Sequence, residues 1–236
     1  MALLDVCIPG LCLVCDGPFR YGPKPLRELV IGYAVCPACR DACRPAAFRN
    51  RCEICSIPVP QFIRVCERCR REEFTFSRAF ALQRYAGVPA AAVQAFKFSR
   101  HRSLGRFIGA ALAPVVATIA PGDPALVPVP SSPRSVRDRG FAGAVVIAEE
   151  IARRTGLRLL RLLRSSQGRS QKSLSYAARR ENAYRTVRLV HGRAVPELVV
   201  LVDDVFTTGA TADSCARRLR GAGAREVYVV TFAIEY

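Results

Sequence analysis

From about residue 74 onward, short unbroken apolar runs alternate with longer stretches in which apolar residues recur every three or four positions. The first pattern fits strands buried in a sheet, and the second fits helices with one face against it. Strands are expected at Ser77–Tyr85, Ala125–Val129, Leu157–Leu160, Leu198–Val202 and Glu226–Ala233, with helices at Pro89–Lys97, Leu104–Ile119, Phe141–Thr155 and Ala210–Gly221. That order implies an α/β fold on a mostly parallel sheet flanked by helices. Leu198–Val202 reads LVVLV, continuous and rich in β-branched residues, which suits a central strand covered on both faces. On this reading the sheet ends at Asp203. The longest apolar stretch, Phe107–Ala120, is broken by Pro114 and is too short for a bilayer, which needs about 20 residues, so no membrane span is expected. Met1–Val14 lacks the basic start of a signal peptide, and a cytoplasmic location is expected.

The front of the chain breaks this pattern. Ten of the eleven cysteines precede Arg70, dividing the sequence into a cysteine module, 1–73, and an α/β domain, 74–236. Cys52 and Cys55, then Cys66 and Cys69, form two C-x2-C knuckles ten residues apart, and Cys12, Cys15, Cys36 and Cys39 repeat the arrangement across twenty residues. Two knuckles supply the four thiolates of a closed tetrahedral zinc site, so the module reads as two tandem zinc ribbons holding one or two structural ions. A disulfide scaffold suits a secreted protein better, and a redox C-x2-C expects a βαβ context that is missing here. Cys7 and Cys43 are surplus; Cys43 could replace a ligand in the first set. Cys215 falls on the last helix and reads as a small core residue.

The richest candidate chemistry is VVLVDDVFTTGAT, Val199–Thr211. Open α/β sheets bind ligands at the carboxyl ends of their strands, and there Asp203 and Asp204 can accept hydrogen bonds from vicinal hydroxyls or face a hydrated Mg²⁺. The residues Thr207, Thr208, Gly209, Ala210 and Thr211 are small or hydroxylated, and the next helix starts among them with amides that can converge on an anion. The plain alternative is a βα turn with one capping residue. It explains neither the acidic pair nor the three threonines.

Charge adds to this picture without deciding it. The net charge is +17, from 36 basic residues of which only Lys24, Lys97 and Lys172 are lysines. Between Arg134 and Arg193 fifteen basic residues face four acidic ones, which favours a polyanionic partner, either phosphate-rich small molecules or nucleic acid. Arginine-rich surfaces also arise from a GC-rich genome. Val127–Phe141, VPVPSSPRSVRDRGF, reads as a turn from which Arg134, Arg137 and Arg139 could reach an anion. Ser166–Ala183, SQGRSQKSLSYAARRENA, reads as a mobile flap that could exclude water.

The acidic pair and threonine turn resemble the 5-phosphoribosyl-1-pyrophosphate (PRPP) motif of type I phosphoribosyltransferases. In order, tandem cysteine knuckles, FKF around Lys97, VPVP at Val127–Pro130, RGF at Arg139–Phe141, QKSLS with R-x2-N at Gln171–Asn182, and VDDVFTTGAT resemble the ComF (competence protein) family over nearly the whole chain. That resemblance implies a type I phosphoribosyltransferase fold, a zinc-ribbon module and a place in natural transformation. It puts ribose hydroxyls on Asp203 and Asp204 and the 5′-phosphate on the loop from Val205 through Thr207, Thr208, Gly209, Ala210 and Thr211. Lys97, Arg137, Arg139, Gln171, Lys172 and Arg179 become further contacts. One departure is plain: Ala142 and Gly143 stand where the family usually places Asn-Gln or Asp-His after RGF.

As an enzyme, such a protein would displace pyrophosphate from C1 of PRPP with a nitrogen nucleophile, helped by Mg²⁺ and by closure of the flap. No side chain stands out as a general base. His101 and His191 are the only histidines, which excludes most hydrolytic triads. The alternative function is a binding protein that keeps the PRPP fold as sensor or scaffold and engages single-stranded DNA or transformation proteins.

Overall fold

The computed structural model describes residues 9–20, 35–45, 50–98, 100–120, 122–166 and 184–236. It begins with an antiparallel hairpin of β1 (Pro9–Leu11) and β2 (Pro18–Arg20), then the short helices α1 (Pro37–Ala42) and α2 (Glu67–Arg71). The α/β part follows as β3 (Arg78–Arg84), α3 (Gly87–Phe98), α4 (Arg102–Ile119), β4 (Ala125–Pro128), α5 (Pro133–Arg139) and α6 (Gly143–Thr155). It continues with β5 (Leu163–Ser165), β6 (Val187–Leu189), β7 (Leu198–Phe206), α7 (Ala210–Arg220) and β8 (Glu226–Ile234). The main sheet has the order β3-β8-β7-β4 with every pair parallel, as the alternating pattern predicts. β5 and β6 form a separate antiparallel pair.

The sheet divides two apolar cores. Leu82, Leu126, Val200, Val202, Val230 and Phe232 pack with α3, α4 and α6 on one face, together with Cys12, Cys39 and Cys43. Val127, Val199, Leu201, Val227 and Val229 pack with α7 on the other, together with Cys52, Cys55, Cys66 and Cys69. Alternate residues of a strand leave it in opposite directions, so a run such as Val199–Val202 must be apolar throughout to fill both cores. All four of these residues are fully buried.

Three differences from the sequence reading have physical causes. The central strand does not end at Asp203 but runs on to Phe206, because β8 continues to pair with it through Asp203↔Thr231, Val205↔Ala233 and Phe206↔Ile234. Leu157–Leu160 shrinks to a single parallel bridge, Leu126↔Leu159, at the free edge of the short β4. The proline- and arginine-rich turn contains a seven-residue helix, α5, which starts on Pro133 with Ser132 accepting from the Ser135 amide at 3.1 Å. The helix expected at Leu104–Ile119 forms through Pro114, which faces outward where a missing N–H costs less. The uninterrupted α4 has 18 residues at a mean hydropathy of 1.2, enough by length and composition to cross a membrane. Here its apolar face, including Leu104, Ile108, Leu112 and Val116, is buried in the core.

The second cysteine segment docks along the outer edge of β3. Ala79 N–H donates to Ile54 C=O at 2.7 Å, Ala81 N–H reaches Ser56 Oγ at 3.5 Å, and Arg51 Nη1 donates to the Ala81 carbonyl. Ser56 is fully buried in a left-handed turn (φ 67°). Further along the strand, the buried Gln83 side chain donates to the Arg44 carbonyl beside the first cysteine segment.

Candidate functional site

The acidic pair lies where β7 has run past the end of β4 while still pairing with β8. Being consecutive on an extended strand, the two carboxylates point to different sides. Asp204 is nearly buried and takes an ion pair from Lys97 Nζ at 3.3 Å, so the end of α3 meets the strand there. Asp203 accepts from the Asp204 amide at 2.9 Å and helps line a cavity of about 40 Å³ with Thr207, Gly209, Thr211 and Thr231. Burial, with the Asp204 carboxylate beside it, pushes the Asp203 carboxyl up to about 7, against the pull of the Asp204 amide, Lys97 and Arg139. The pair is therefore one carboxylate neutralised by a lysine and one that holds a proton near neutrality.

The threonine turn follows directly. Gly209 sits at φ 79°, and a Cβ there would lie 2.8 Å from the Phe206 ring and 3.0 Å from Phe74, so both conformation and space require glycine. It is the residue before α7, whose first amide approaches Thr208 Oγ1 at 3.4 Å. Thr207 and Thr211 are exposed at the mouth. The amides of the first turn of α7 and the positive end of its dipole make this a place where an anion is stabilised. Asp213, buried on the first turn of α7, accepts from the Thr75 amide at 2.6 Å and from Arg217 Nε at 3.0 Å, tying α7 to the approach of β3.

Arg139 joins the site from the end of α5. Its Nε donates to the Lys97 carbonyl at 3.3 Å, and its guanidinium lies 5.3 Å from the centre of the Phe96 ring. A Cβ at position 143 would collide with this guanidinium. At Gly143 the volume that a side chain would fill is occupied instead by the end of Arg139, a cation from one helix earlier. Arg134 and Arg137 remain exposed on α5, with Arg134 paired to Asp138. Lys97, Arg139, Asp203, Asp204 and the threonine turn are brought together. Gln171, Lys172 and Arg179 fall outside the described residues, as does Cys7.

Each thiol set gathers as its spacing predicts. Within Cys12, Cys15, Cys36 and Cys39, and within Cys52, Cys55, Cys66 and Cys69, all sulfurs lie within 4.8 Å of one another. The Cys15–Cys36 and Cys55–Cys66 sulfur separations of 3.9 and 3.7 Å match the edge of a ZnS₄ tetrahedron, about 3.8 Å for Zn–S bonds near 2.3 Å. Amides already point at sulfur: Cys36 N–H to Cys12 at 3.3 Å and Cys66 N–H to Cys52 at 3.4 Å. Against the cost of burial, the Cys36 and Val14 amides bring Cys12 down to about 7, and hydrogen bonding from Cys69 brings Cys55 down to about 5. Both sets could hold a metal. Cys43 is buried at the end of α1 outside the first set, its thiol pushed up to about 12 by burial. Cys215 is buried within α7, as expected of a core residue.

Sequence reasoning missed Arg68. It stands between Cys66 and Cys69 on α2, and its Nη1 donates to the Thr207 carbonyl at 3.0 Å. Nothing local could have revealed it, since the two residues are 139 positions apart.

No family model matches the chain. It is 26% identical to DNA utilization protein YhgH of Escherichia coli over 94% of its own length and 96% of that protein's. It is also 26% identical to competence protein F of Haemophilus influenzae, over 92% and 94%, and 27% identical to competence protein ComFC of Bacillus subtilis, over 90% of each. The likeness to ComF-type proteins read from the motifs is therefore matched by relatives that align over nine tenths or more of both chains. Superposition on an allosteric regulatory enzyme of purine biosynthesis covers 54% of this chain and 25% of that one at a TM-score of 0.38, too loose to carry weight.

Proposed function

We propose that the chain binds a phosphoribosyl ligand, PRPP or a close relative, with Mg²⁺ at the carboxyl end of β7, as a cytoplasmic protein of competence and DNA utilization. The observation that carries this reading is the acidic pair at the end of a central parallel strand, with Lys97 on one side and the Gly209 turn on the other. Asp203 and Asp204 would accept from the ribose hydroxyls, Thr207–Thr211 and the start of α7 would hold the 5′-phosphate, and Lys97 and Arg139 would face the pyrophosphate. The oxygen-only carboxylate pair suits the hydration shell of Mg²⁺. The metal's contribution, when bound with the ligand, is to neutralise the pyrophosphate charge.

The relatives' names support a setting in competence and DNA utilization, and ten free thiols among the described residues suit a reducing compartment. The two thiol sets are read as structural zinc sites in a module covering residues 1–73, ahead of a phosphoribosyltransferase-like domain at 74–236. Transfer of the phosphoribosyl group to a nitrogen nucleophile is the reaction such a ligand would support.

Calorimetry with PRPP and Mg²⁺ tests the site. The double variant Asp203→Asn, Asp204→Asn should bind at least tenfold more weakly than the parent chain, from the loss of charge-assisted hydrogen bonds. Equal affinity would sink the reading. Pyrophosphate release across a panel of nucleobases and amines then separates transferase from sensor. Binding without release favours a scaffold that engages single-stranded DNA or a transformation partner, for which the +17 net charge is suited.

A further inference from the structure

Arg68 is the point at which the second thiol set touches the threonine turn. Besides its bond to the Thr207 carbonyl, its guanidinium lies 5.7 Å from the centre of the Phe206 ring, the last residue of β7. Its Nε and Nη2 are buried without a hydrogen-bond partner. Those two nitrogens form the side-on fork with which arginine grips carboxylates and phosphates. A cation held by one carbonyl and one ring face, with its fork unmet, is costly to keep in place. Negative charge bound at the adjacent turn would lower that cost through space.

The geometry also sets the turn. In a trans peptide the carbonyl and the following N–H point in opposite directions. Arg68 holds the Thr207 carbonyl toward α2, so the Thr208 amide is directed away from α2 across the turn. The position of Arg68 depends in turn on the thiols. α2 has five residues, too few to persist as an isolated helix. Cys66 caps it by accepting from the Cys69 amide at 3.4 Å, and both cysteines belong to the gathered set.

We propose that Arg68 is a positioning residue that couples the second thiol set to an anion at the threonine turn. Metal on Cys52, Cys55, Cys66 and Cys69 fixes α2, α2 fixes Arg68, and Arg68 fixes the Thr207–Thr208 peptide. Linkage makes the effect reciprocal, so an anion at the turn also holds the thiol set closed. This coupling rests on reading the turn as a phosphate site.

Amide hydrogen exchange on the zinc-loaded full chain tests it, in peptides covering residues 66–71 and 205–212. In the absence of ligand, Arg68→Met should speed exchange at 205–212 about tenfold, the effect of losing a charge-assisted bond. Saturating PRPP with Mg²⁺ should slow exchange at 66–71 in the parent chain and leave it unchanged in the variant. Unaltered exchange at 205–212 in the ligand-free variant overturns the proposal, as does ligand protection of 66–71 that survives the substitution. Failure of PRPP to protect 205–212 in the parent chain removes the phosphate reading and the coupling to it, while the ligand-free comparison still decides whether Arg68 orders the turn. Arg68→Gln carries the same comparison should the methionine variant lose its zinc.

Discussion

Asp203 concentrates the electrostatics of the site in one titration. Its carboxyl is raised toward 7 chiefly by burial and then by Asp204. A raised carboxylate favours folding while it is protonated, so its contribution is complete below the unfolded value near 4 and is lost as pH rises through 7. Asp203→Asn removes the charge and should be more stable than the parent chain at pH 8, by on the order of 2–4 kcal/mol, with the difference vanishing near pH 4. Urea unfolding at the two pH values reads this out; equal stability at pH 8 would mean that the carboxylate is not held against its charge. Binding has the opposite sign, because the ionised form accepts a charge-assisted bond from a ribose hydroxyl, whereas the protonated form accepts a weaker one. PRPP affinity should therefore fall as pH drops below 7, by at most about tenfold per pH unit.

At the scale of elements, the turn between β7 and α7 depends on glycine. Gly209→Ala combines a left-handed backbone with a methyl group pressed on Phe206 and Phe74, and should cost about 2–4 kcal/mol in denaturant unfolding. A cost below about 0.5 kcal/mol would show that the turn can shift freely. This turn was legible in the sequence, because a buried strand, an acidic pair and a TTGAT turn are local patterns with local causes. So were the thiol sets and most helices. What escaped depends on partners far along the chain. β7 outlasts its apolar run because β8 keeps pairing with it, so Asp203 and Asp204 sit inside a ladder rather than beyond it. Arg139 takes the space over Gly143, and Arg68 reaches Thr207, through contacts that no local periodicity encodes.

At the scale of the whole molecule, the chain is two cores on either side of one parallel sheet, with a thiol set belonging to each. Zinc quantification should return about two ions per chain, and one would mean that a single set is filled. The second segment also covers a strand edge, since Ile54, Ser56 and Arg51 occupy the hydrogen-bonding groups along the outside of β3. With that cover removed, β3 becomes a bare sheet margin that another copy of the chain can extend, strand against strand. A strong chelator should therefore cause concentration-dependent self-association, seen as rising light scattering, before the main sheet unfolds. Zinc would then serve as a guard on solubility, and a chain starved of it would be lost to precipitation while most of its core was still intact.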